Sequence, residues 1–172
     1  VPVKGDVPPE LSADEASTGV YVGNGDARPF ETTLRLVPRD CVLGIGCRRD
    51  TPEEDIEGMV SRALAEAGIS MRNVRAAASI DLKKDEAGLL AFASKHSLPI
   101  TFYTADELNA VPGEFSKSGF VQSVTAVDCV CERSAVKASR GGRIILRKYA
   151  GDGVTVSIAR EDFSVDFTRY RK

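Results

Sequence analysis

No apolar run of about 18 residues occurs in the 172-residue sequence, so we expect no membrane-spanning helix. The sequence also lacks the charged and apolar leader of a signal peptide, and we expect a cytoplasmic location. Its first residue is valine, which we interpret as a sign that the chain is a piece of a longer protein. The formal net charge of −2 gives no reason to expect a nucleic-acid partner.

Cysteine and histidine are too few for the sites they commonly build. Four cysteines do not make a disulfide scaffold in a chain of this size, and we expect reduced thiols. Cys129 and Cys131 would point apart on the helix predicted around them, and the single histidine, His96, stands elsewhere, so we predict no metal site. Cys47 would need that imidazole as a base to act as a nucleophile, and a small residue packed in a turn is the simpler interpretation.

The first 40 residues differ in composition from the rest. They hold five of the eight prolines, with glycine, aspartate and serine throughout and no sustained hydrophobic period. We interpret residues 1–40 as a linker or extension from a preceding, absent domain, with one short edge strand at 19–22. The polar residues 161–172 are interpreted as a tail, either docked on the domain or left from cloning.

Strand and helix patterns alternate regularly across residues 41–160, which we predict to form one domain. The predicted strands are at 41–45, 74–80, 99–104, 143–149 and 154–160. The predicted helices are at 51–67, from 85, from 104 and at 128–139. This order indicates an α/β fold: a three-layer sandwich with a mixed, mainly parallel sheet of about five strands, ending in a β-hairpin.

Local signals place the predicted helix ends. Thr51 is a suitable N-cap with Pro52 at the first helical position, and Gly68 suits the end of the same helix. Asp85 is the expected cap of the second helix, and Thr104 that of the third.

Two glycines and two arginines follow the first predicted strand in the stretch CVLGIGCRR. Ligands of open parallel sheets usually bind beyond the carboxyl ends of the strands. Glycine lets a ligand approach the backbone, arginine matches carboxylate or phosphate oxygens, and the next helix begins at the same edge. We therefore predict an anion-binding site. Its candidate residues here are Gly44, Gly46, Cys47, Arg48 and Arg49.

A second charged group follows the second strand and should lie at the same edge. Its main residues are Ser79, Asp81, Lys83 and Glu86. Lys84 and Asp85 stand between them, and Thr104 and Asp106 follow the third strand.

Each of these features also has a simpler interpretation. Gly44 can serve close packing of a helix on the strand, and Arg48 and Arg49 can form a solvated turn. Asp81 can cap a loop. No third glycine follows Gly46 within two or three residues, so the dinucleotide fingerprint is incomplete and we disfavour nucleotide binding.

The string LGIGCRR, followed by a capped helix, resembles the C-terminal domain of the cobalamin biosynthesis protein CbiG, which also occurs alone as CobE. Similar strings continue over residues 36–160: SIDLKKDEAGLLAFASKHSLPITFYTADELNAV, VPGEFSKSGFVQSVTAVDCVCERSAV and ILRKYAGDGVTVSIAR. Four blocks in one order make the resemblance specific. The chain departs from the family pattern at Asp50, where glycine is common, at Ser134 and Val136, and at Arg147, where proline is often seen.

The resemblance implies a role in the anaerobic route to vitamin B12. The family's full-length hydrolase opens the ring A δ-lactone of cobalt-precorrin-5A and releases acetaldehyde. The resemblance also implies that the N-terminal domain of the same protein is a partner, with other enzymes of the pathway as further candidates. Cobalt would belong to the corrinoid substrate, so no protein cofactor or metal ligand is expected.

The resemblance also suggests roles for charged residues. Arg48, Arg49, Lys83 and Lys148 would bind the acetate and propionate groups of the macrocycle.

Asp81 and Glu86 are the catalytic candidates, and Glu132 is a third carboxylate at the start of the last helix. The reacting centre could instead lie mostly on the absent domain. Two other classes stay open: a non-catalytic corrinoid-binding module, and an anion-binding α/β domain of another pathway.

Overall fold

The computed structural model describes residues 3–5, 16–24, 27–116 and 127–162. The chain divides into two compact units, one made of residues 1–39 with 163–172 and the other of residues 40–162. The interpretation of residues 1–40 as a linker stays a prediction. Most of the predicted tail, residues 163–172, lies outside the described residues.

The first unit holds a small parallel sheet. Its strands are β1, Val3–Gly5, β2, Thr18–Val22, and β3, Thr32–Leu36, with β2 in the centre. A strand at 19–22 is confirmed, but it lies between two neighbours and not at an edge. Phe30 is buried, and its ring occupies the space that a side chain at Gly19 would fill.

The second unit confirms the predicted α/β fold. In chain order its elements are β4, Cys41–Cys47; α1, Glu53–Glu66; β5, Val74–Ile80; α2, Ala87–Lys95; β6, Ile100–Tyr103; α3, Ala105–Asn109; α4, Val130–Ala138; β7, Arg143–Gly151; and β8, Val154–Arg160. The strand order is β6-β5-β4-β8-β7. β4, β5 and β6 are parallel, whereas β8 runs antiparallel to both β4 and β7. Every strand except β8 therefore points the same way.

The helices cover both faces of this sheet. Neighbouring residues of a strand point to opposite faces. In β4, Leu43 and Ile45 join the core with Ile56 and Met59 of α1, whereas Gly44 faces α4. α2 packs on α1, and α3 packs on α4. The result is the predicted three-layer sandwich.

The structure corrects two predicted helix caps. Thr51 does not cap α1; Pro52 holds the N-cap position, and the Thr51 hydroxyl donates to the Arg48 carbonyl at 2.8 Å. Glu86, not Asp85, precedes α2. In both cases the helix begins later than the capping pattern indicated.

The other two helix-end predictions are confirmed. Gly68 is in the left-handed conformation with φ of 66°, and the Ile69 N–H donates to the Leu64 carbonyl at 3.0 Å, as in a Schellman motif. Thr104 and Glu107 form a reciprocal capping box at the start of α3.

The predicted hairpin joins β7 and β8 through Asp152 and Gly153, whose φ angles are 50° and 78°. Positive φ at both positions matches the type I′ turn that suits antiparallel strands. Within β7, before this turn, Leu146 pairs with Ile158 and Tyr149 pairs with Val156. Two residues of β7 therefore face a single residue of β8, which is a β-bulge.

A missing side chain brings α4 close to the centre of the sheet. A Cβ atom at Gly44 would lie 1.8 Å from the Cys131 carbonyl oxygen and 2.9 Å from the Ala135 nitrogen. Both are backbone atoms, so no side-chain rotation could make room. Of the two interpretations of Gly44, close packing accounts for what is seen.

We expect Gly44→Ala to lower the free energy of unfolding by about 3 kcal/mol or more, since overpacking a rigid backbone contact is costly. Urea denaturation measures the change. Gly58→Ala in α1 is the matched control, because its nearest atom would be an Arg62 side-chain nitrogen at 3.9 Å. Equal stability of the Gly44 variant and the wild type would contradict this packing.

Candidate functional site

The end of β4 and the loop that follows it are anchored by their backbone; we call residues 46–51 the rim loop. The Arg48 N–H donates to the Gly153 carbonyl at 3.0 Å, which ties the loop to the β7–β8 turn. Asp50 has φ of 58°, a conformation that favours glycine, and its N–H donates to a Glu86 oxygen at 3.0 Å. Glycine, which the sequence resemblance leads us to expect at position 50, would adopt this conformation with less strain.

The arginine side chains of the rim loop face solvent. Arg48 and Arg49 are both exposed, and neither forms an ion pair or side-chain hydrogen bond with another described residue. Their guanidinium groups are therefore available to an anionic ligand, while the backbone that carries them is fixed.

Lys83 and Glu86 form a largely buried ion pair beside this loop. The Lys83 ammonium lies 2.8 Å from one Glu86 oxygen, and these side chains are only 16% and 11% exposed. The other Glu86 oxygen accepts the Asp50 N–H. Burial opposes ionisation, but the Lys83 ammonium, the Asp50 N–H and the Arg49 charge outweigh it and lower the pKa of Glu86. Glu86 is thus an ionised residue that joins the two segments.

Asp81 is the second predicted catalytic carboxylate. It begins a short 3-10 turn, Asp81–Lys83, and is partly exposed. Among the described residues its carboxylate has no side-chain hydrogen bond or ion pair, and its backbone carbonyl accepts the Lys84 N–H. Unlike Glu86, it keeps both oxygens available for a ligand or a water molecule. Lys84 and Asp85, next along this turn, are exposed.

Three predicted binding residues lie within the inner strands β4 and β5, and the rest of the fold fills the space around them. Ser79 is fully buried and its hydroxyl donates to the Ile45 carbonyl at 2.6 Å, so it links β5 to β4. Gly44 packs under α4. At Gly46 the space for a side chain is taken by the Thr155 hydroxyl, which donates to the Gly46 carbonyl at 3.3 Å.

The structure provides no activated thiol in the rim loop. Burial raises the pKa of the half-buried Cys47, and the opposing effect of the Lys83 charge does not cancel it. His96 lies at the end of α2, where its ring nitrogen is 2.6 Å from a Glu57 oxygen. Within the described ranges, no three His, Cys, Asp or Glu side chains are grouped to hold a metal ion.

Glu132 is fully buried near the start of α4, with donors on both oxygens. One oxygen accepts the Lys148 N–H at 2.8 Å and the Ser116 hydroxyl at 2.7 Å, and the other accepts the Ser116 N–H at 2.9 Å. Arg147 approaches at 3.5 Å. Burial opposes ionisation, but the Lys148 N–H, both Ser116 donors and the Arg147 charge lower the pKa of Glu132. Its geometry is that of an internal hydrogen-bond hub.

The β7 bulge makes this hub possible. Arg147 and Lys148 have no register partner in β8, so the Lys148 N–H can turn to Glu132. Proline, which the sequence resemblance leads us to expect at position 147, lacks an N–H and is tolerated at bulges. The Arg147 departure therefore needs no rearrangement of the sheet. The side chain of Lys148 is half-buried and not part of the rim loop.

The expectation that Cys129 and Cys131 point apart is wrong. Their sulfurs lie 3.7 Å from each other. Cys129 is the N-cap residue of α4, with extended φ and ψ of −147° and 94°, so only Cys131 has helical geometry. Placing the helix start two residues too early, at Asp128, caused the error.

Sequence reasoning also missed Ser116, the Asp50 N–H and Thr155. Ser116 is 16 residues from Glu132, and the Asp50 donor belongs to the backbone. The capping pattern at Thr51 indicated an ordered segment here, but nothing in the sequence identified Glu86 as the acceptor of the Asp50 N–H.

The chain matches known proteins over its second unit. The family model described as "Cobalamin synthesis G C-terminus" matches residues 41–159. A cobalt-precorrin-5A hydrolase of Priestia megaterium is 36% identical over 130 residues, which are 76% of this chain and 34% of that protein. Protein CobE of a Sinorhizobium species is 35% identical over 120 residues, 69% of this chain and 78% of that protein. The chain therefore spans about a third of the length of the hydrolase.

A solved structure agrees with these matches. The crystal structure of CobE, "a protein from the cobalamin (vitamin B12) biosynthetic pathway", superposes with a TM-score of 0.65 at 33% identity. The match covers 72% of this chain and 91% of CobE. The resemblance to the family seen in the sequence is confirmed. Among the described helices, none combines the length and the apolar character needed to cross a bilayer.

We expect Glu132→Gln to lower the free energy of unfolding at pH 7 by about 3 kcal/mol, because an amide NH₂ would face donors that now bind a carboxylate. The lowered pKa means that the ionised form stabilises the fold above the unfolded pKa of about 4.3. That stabilisation is lost as the pH falls through the folded pKa.

Urea titrations at pH 7 and at successively lower pH check this prediction. The gap between wild type and variant should narrow below about pH 4.3, while the exposed control Glu54→Gln stays within about 0.5 kcal/mol throughout. A gap that is small at pH 7, or independent of pH, would mean that Glu132 is not an ionised hub.

Proposed function

Because the chain belongs to the family of the cobalamin synthesis G C-terminus, we propose that it is the C-terminal domain of a cobalt-precorrin-5A hydrolase. In the proposed reaction the ring A δ-lactone of the substrate is opened and acetaldehyde is released. The observation that carries the proposal is the exposed Arg48–Arg49 pair on a rim loop fixed at the carboxyl end of β4.

The rim loop suits a ligand with several carboxylates. The acetate and propionate groups of a corrinoid can each accept a charge-assisted hydrogen bond from a guanidinium group. Lys83 adds positive charge close by, although Glu86 holds its ammonium. Since the loop backbone is bonded to Gly153 and Glu86, little order has to be gained when the ligand binds.

Asp81 is the carboxylate that we assign to proton transfer. Lactone opening needs an activated water, and acetaldehyde loss needs a base for the freed hydroxyl and a proton for the carbon left behind. Asp81 has free oxygens at the rim, whereas Glu86 uses both of its own to hold Lys83 and Asp50. Glu86 is therefore proposed as a positioning residue and Asp81 as the candidate base.

The remaining parts of the site are proposals of the same kind. Cobalt enters with the corrinoid substrate, and the chain needs no cofactor of its own. The N-terminal domain of the same protein is the proposed partner, and other enzymes of the pathway are further candidates. The cytoplasmic location expected from the sequence stays a prediction.

A second candidate function is a corrinoid-binding module without catalysis. The coverage of CobE favours it: the matched region is 91% of the solved CobE chain, so a protein of this size exists without the additional length of the hydrolase. Binding and turnover must therefore be measured separately.

The first test is a titration of the 172-residue protein with cobalt-precorrin-5A, followed by visible absorbance. We expect Arg48→Ala/Arg49→Ala to weaken binding by about tenfold or more, since one charge-assisted hydrogen bond contributes about 1.5–3 kcal/mol. The control Arg72→Ala/Arg143→Ala removes the same charge from two exposed residues. They lie at the amino ends of β5 and β7, away from the rim loop, so this variant should bind normally. Equal weakening in both double variants would mean that the ligand responds to the net charge of the protein and not to Arg48 and Arg49.

A second test separates catalysis from binding in the longer protein that contains this chain. Asp81→Asn should slow acetaldehyde release by about 10²–10⁴-fold, the usual contribution of a general base, with binding unchanged. The exposed neighbour Asp85→Asn serves as control. Normal release by the Asp81 variant would place the base elsewhere, and loss of binding alone would favour the binding module.

A further inference from the structure

Two thiols meet at the N-terminus of α4, outside the proposed corrinoid site. The Cys129 and Cys131 sulfurs are 3.7 Å apart, a contact that neither residue makes by helical spacing alone. We propose that Cys129 and Cys131 form a redox site, a dithiol that a low-molecular-weight disulfide converts into an intramolecular disulfide.

The geometry requires little movement. A disulfide bond is about 2.05 Å long, so the two sulfurs must approach by about 1.7 Å. Cys129 precedes the first helical residue and has extended backbone angles, so its side chain can turn without breaking an intrahelical bond. The other two cysteines cannot form a disulfide with each other, because Cys41 and Cys47 stand at opposite ends of β4.

The surroundings assign different roles to the two sulfurs. The contact with the Cys131 sulfur lowers the pKa of Cys129 against the effect of burial. The Glu132 N–H and the Lys148 charge act in the same direction, and the Glu132 charge opposes them. The same contact raises the pKa of Cys131, with burial adding to it. Because Cys129 lies before the first helical residue with an extended backbone, while Cys131 is held within the first turn, Cys129 is the attacking thiolate and Cys131 the resolving thiol.

The exchange balances in two steps. The Cys129 thiolate attacks one sulfur of the external disulfide, forming a mixed disulfide and releasing one small thiolate. Cys129 is then no longer a thiolate, so its hydrogen bond with Cys131 and its charge no longer raise the pKa of Cys131, and burial remains as the opposing effect. Cys131 loses its proton and its sulfur attacks Cys129, which expels the second small thiol. Two protein thiols are oxidised and one external disulfide is reduced.

Access to the buried pair comes from opening the first turn of α4. Cys129 and Cys131 are 2% and 1% exposed, so exchange must be slower than at a surface thiol. Opening of this turn must break the hydrogen bonds of the buried Glu132, so we expect the exchange to be slow and to follow the rare opening of this part of the fold. The proposal does not rest on the corrinoid function and would stand if that function failed.

Oxidised glutathione is the probe for the test. The reduced 172-residue protein is incubated with it, then denatured, alkylated and digested with trypsin. Residues 118–133, released by cleavage after Lys117 and Arg133, contain both Cys129 and Cys131. We expect this peptide to be unalkylated and lighter by two hydrogen atoms, and free thiols to fall from four to two.

The same digest contains an internal control. Residues 40–48 carry Cys41 and Cys47, and both should remain alkylated. Cys131→Ser should stop at a glutathione adduct on Cys129, whereas Cys41→Ser/Cys47→Ser should still form the disulfide. Dithiothreitol should restore the alkylated peptide.

Two results would overturn the proposal. One is complete alkylation of peptide 118–133 after oxidation of the folded protein, when the denatured chain under the same conditions forms the disulfide. The other is a stable glutathione adduct on Cys129 while Cys131 is present.

Discussion

The close contact between α4 and Gly44 is the constraint on which the rest of the second unit depends. With no side chain at this position, the Cys131 carbonyl can lie directly over the central strand of the sheet. That contact fixes the start of α4 next to the carboxyl end of β4. Glu132 is then carried beneath the bulge of β7, and Cys129 and Cys131 are brought together at the first turn. One absent methyl group thus governs the position of a buried charge and of two thiols.

Two buried carboxylates, Glu132 and Glu86, each join separate segments of the second unit, but they take their hydrogen bonds from different kinds of donor. Glu132 takes its donors from backbone and hydroxyl groups, which hold β7 and the segment around Ser116 against α4. Glu86 takes one donor from the backbone of Asp50 and one from Lys83, which holds the rim loop against the turn after β5. In both cases an ionised carboxylate replaces missing backbone partners, and Arg48 and Arg49 stay exposed on a fixed loop.

The order of strands and helices followed from the sequence because each element has its own pattern. The apolar run at Cys41, the Gly68 stop and the Thr104 capping box are local signals that the structure confirms, whereas the capping signals at Thr51 and Asp85 placed two helix starts too early. The start of α4 was predicted two residues too early, because helix ends are the least certain part of a pattern. That error made Cys129 a helical residue, whereas it is an extended N-cap residue.

The position of the rim loop in the fold followed from the sequence, whereas its role as a binding site stays a prediction. Glycines and arginines after a buried strand indicated the rim loop, and Arg48 and Arg49 lie there as expected. Ser79 and Glu132 were assigned to the ligand from their place in sequence, yet both are buried and bonded internally. Their partners, the Ile45 carbonyl and Ser116, come from other parts of the chain, and the bulge that frees the Lys148 N–H depends on strand register. Long-range hydrogen bonds of this kind leave no local mark on the sequence.

If the rim loop receives the corrinoid, the cobalt ion of the bound ligand lies close to it. The cobalt(II) form of the intermediate is paramagnetic and would broaden the amide resonances of nearby residues in the ¹⁵N-labelled protein. We predict broadening of residues 46–50 and 81–86, with residues 72–74 and 140–143 at the opposite edge unaffected. Broadening confined to that opposite edge, or spread evenly over the surface, would mean that the corrinoid does not bind at the rim loop.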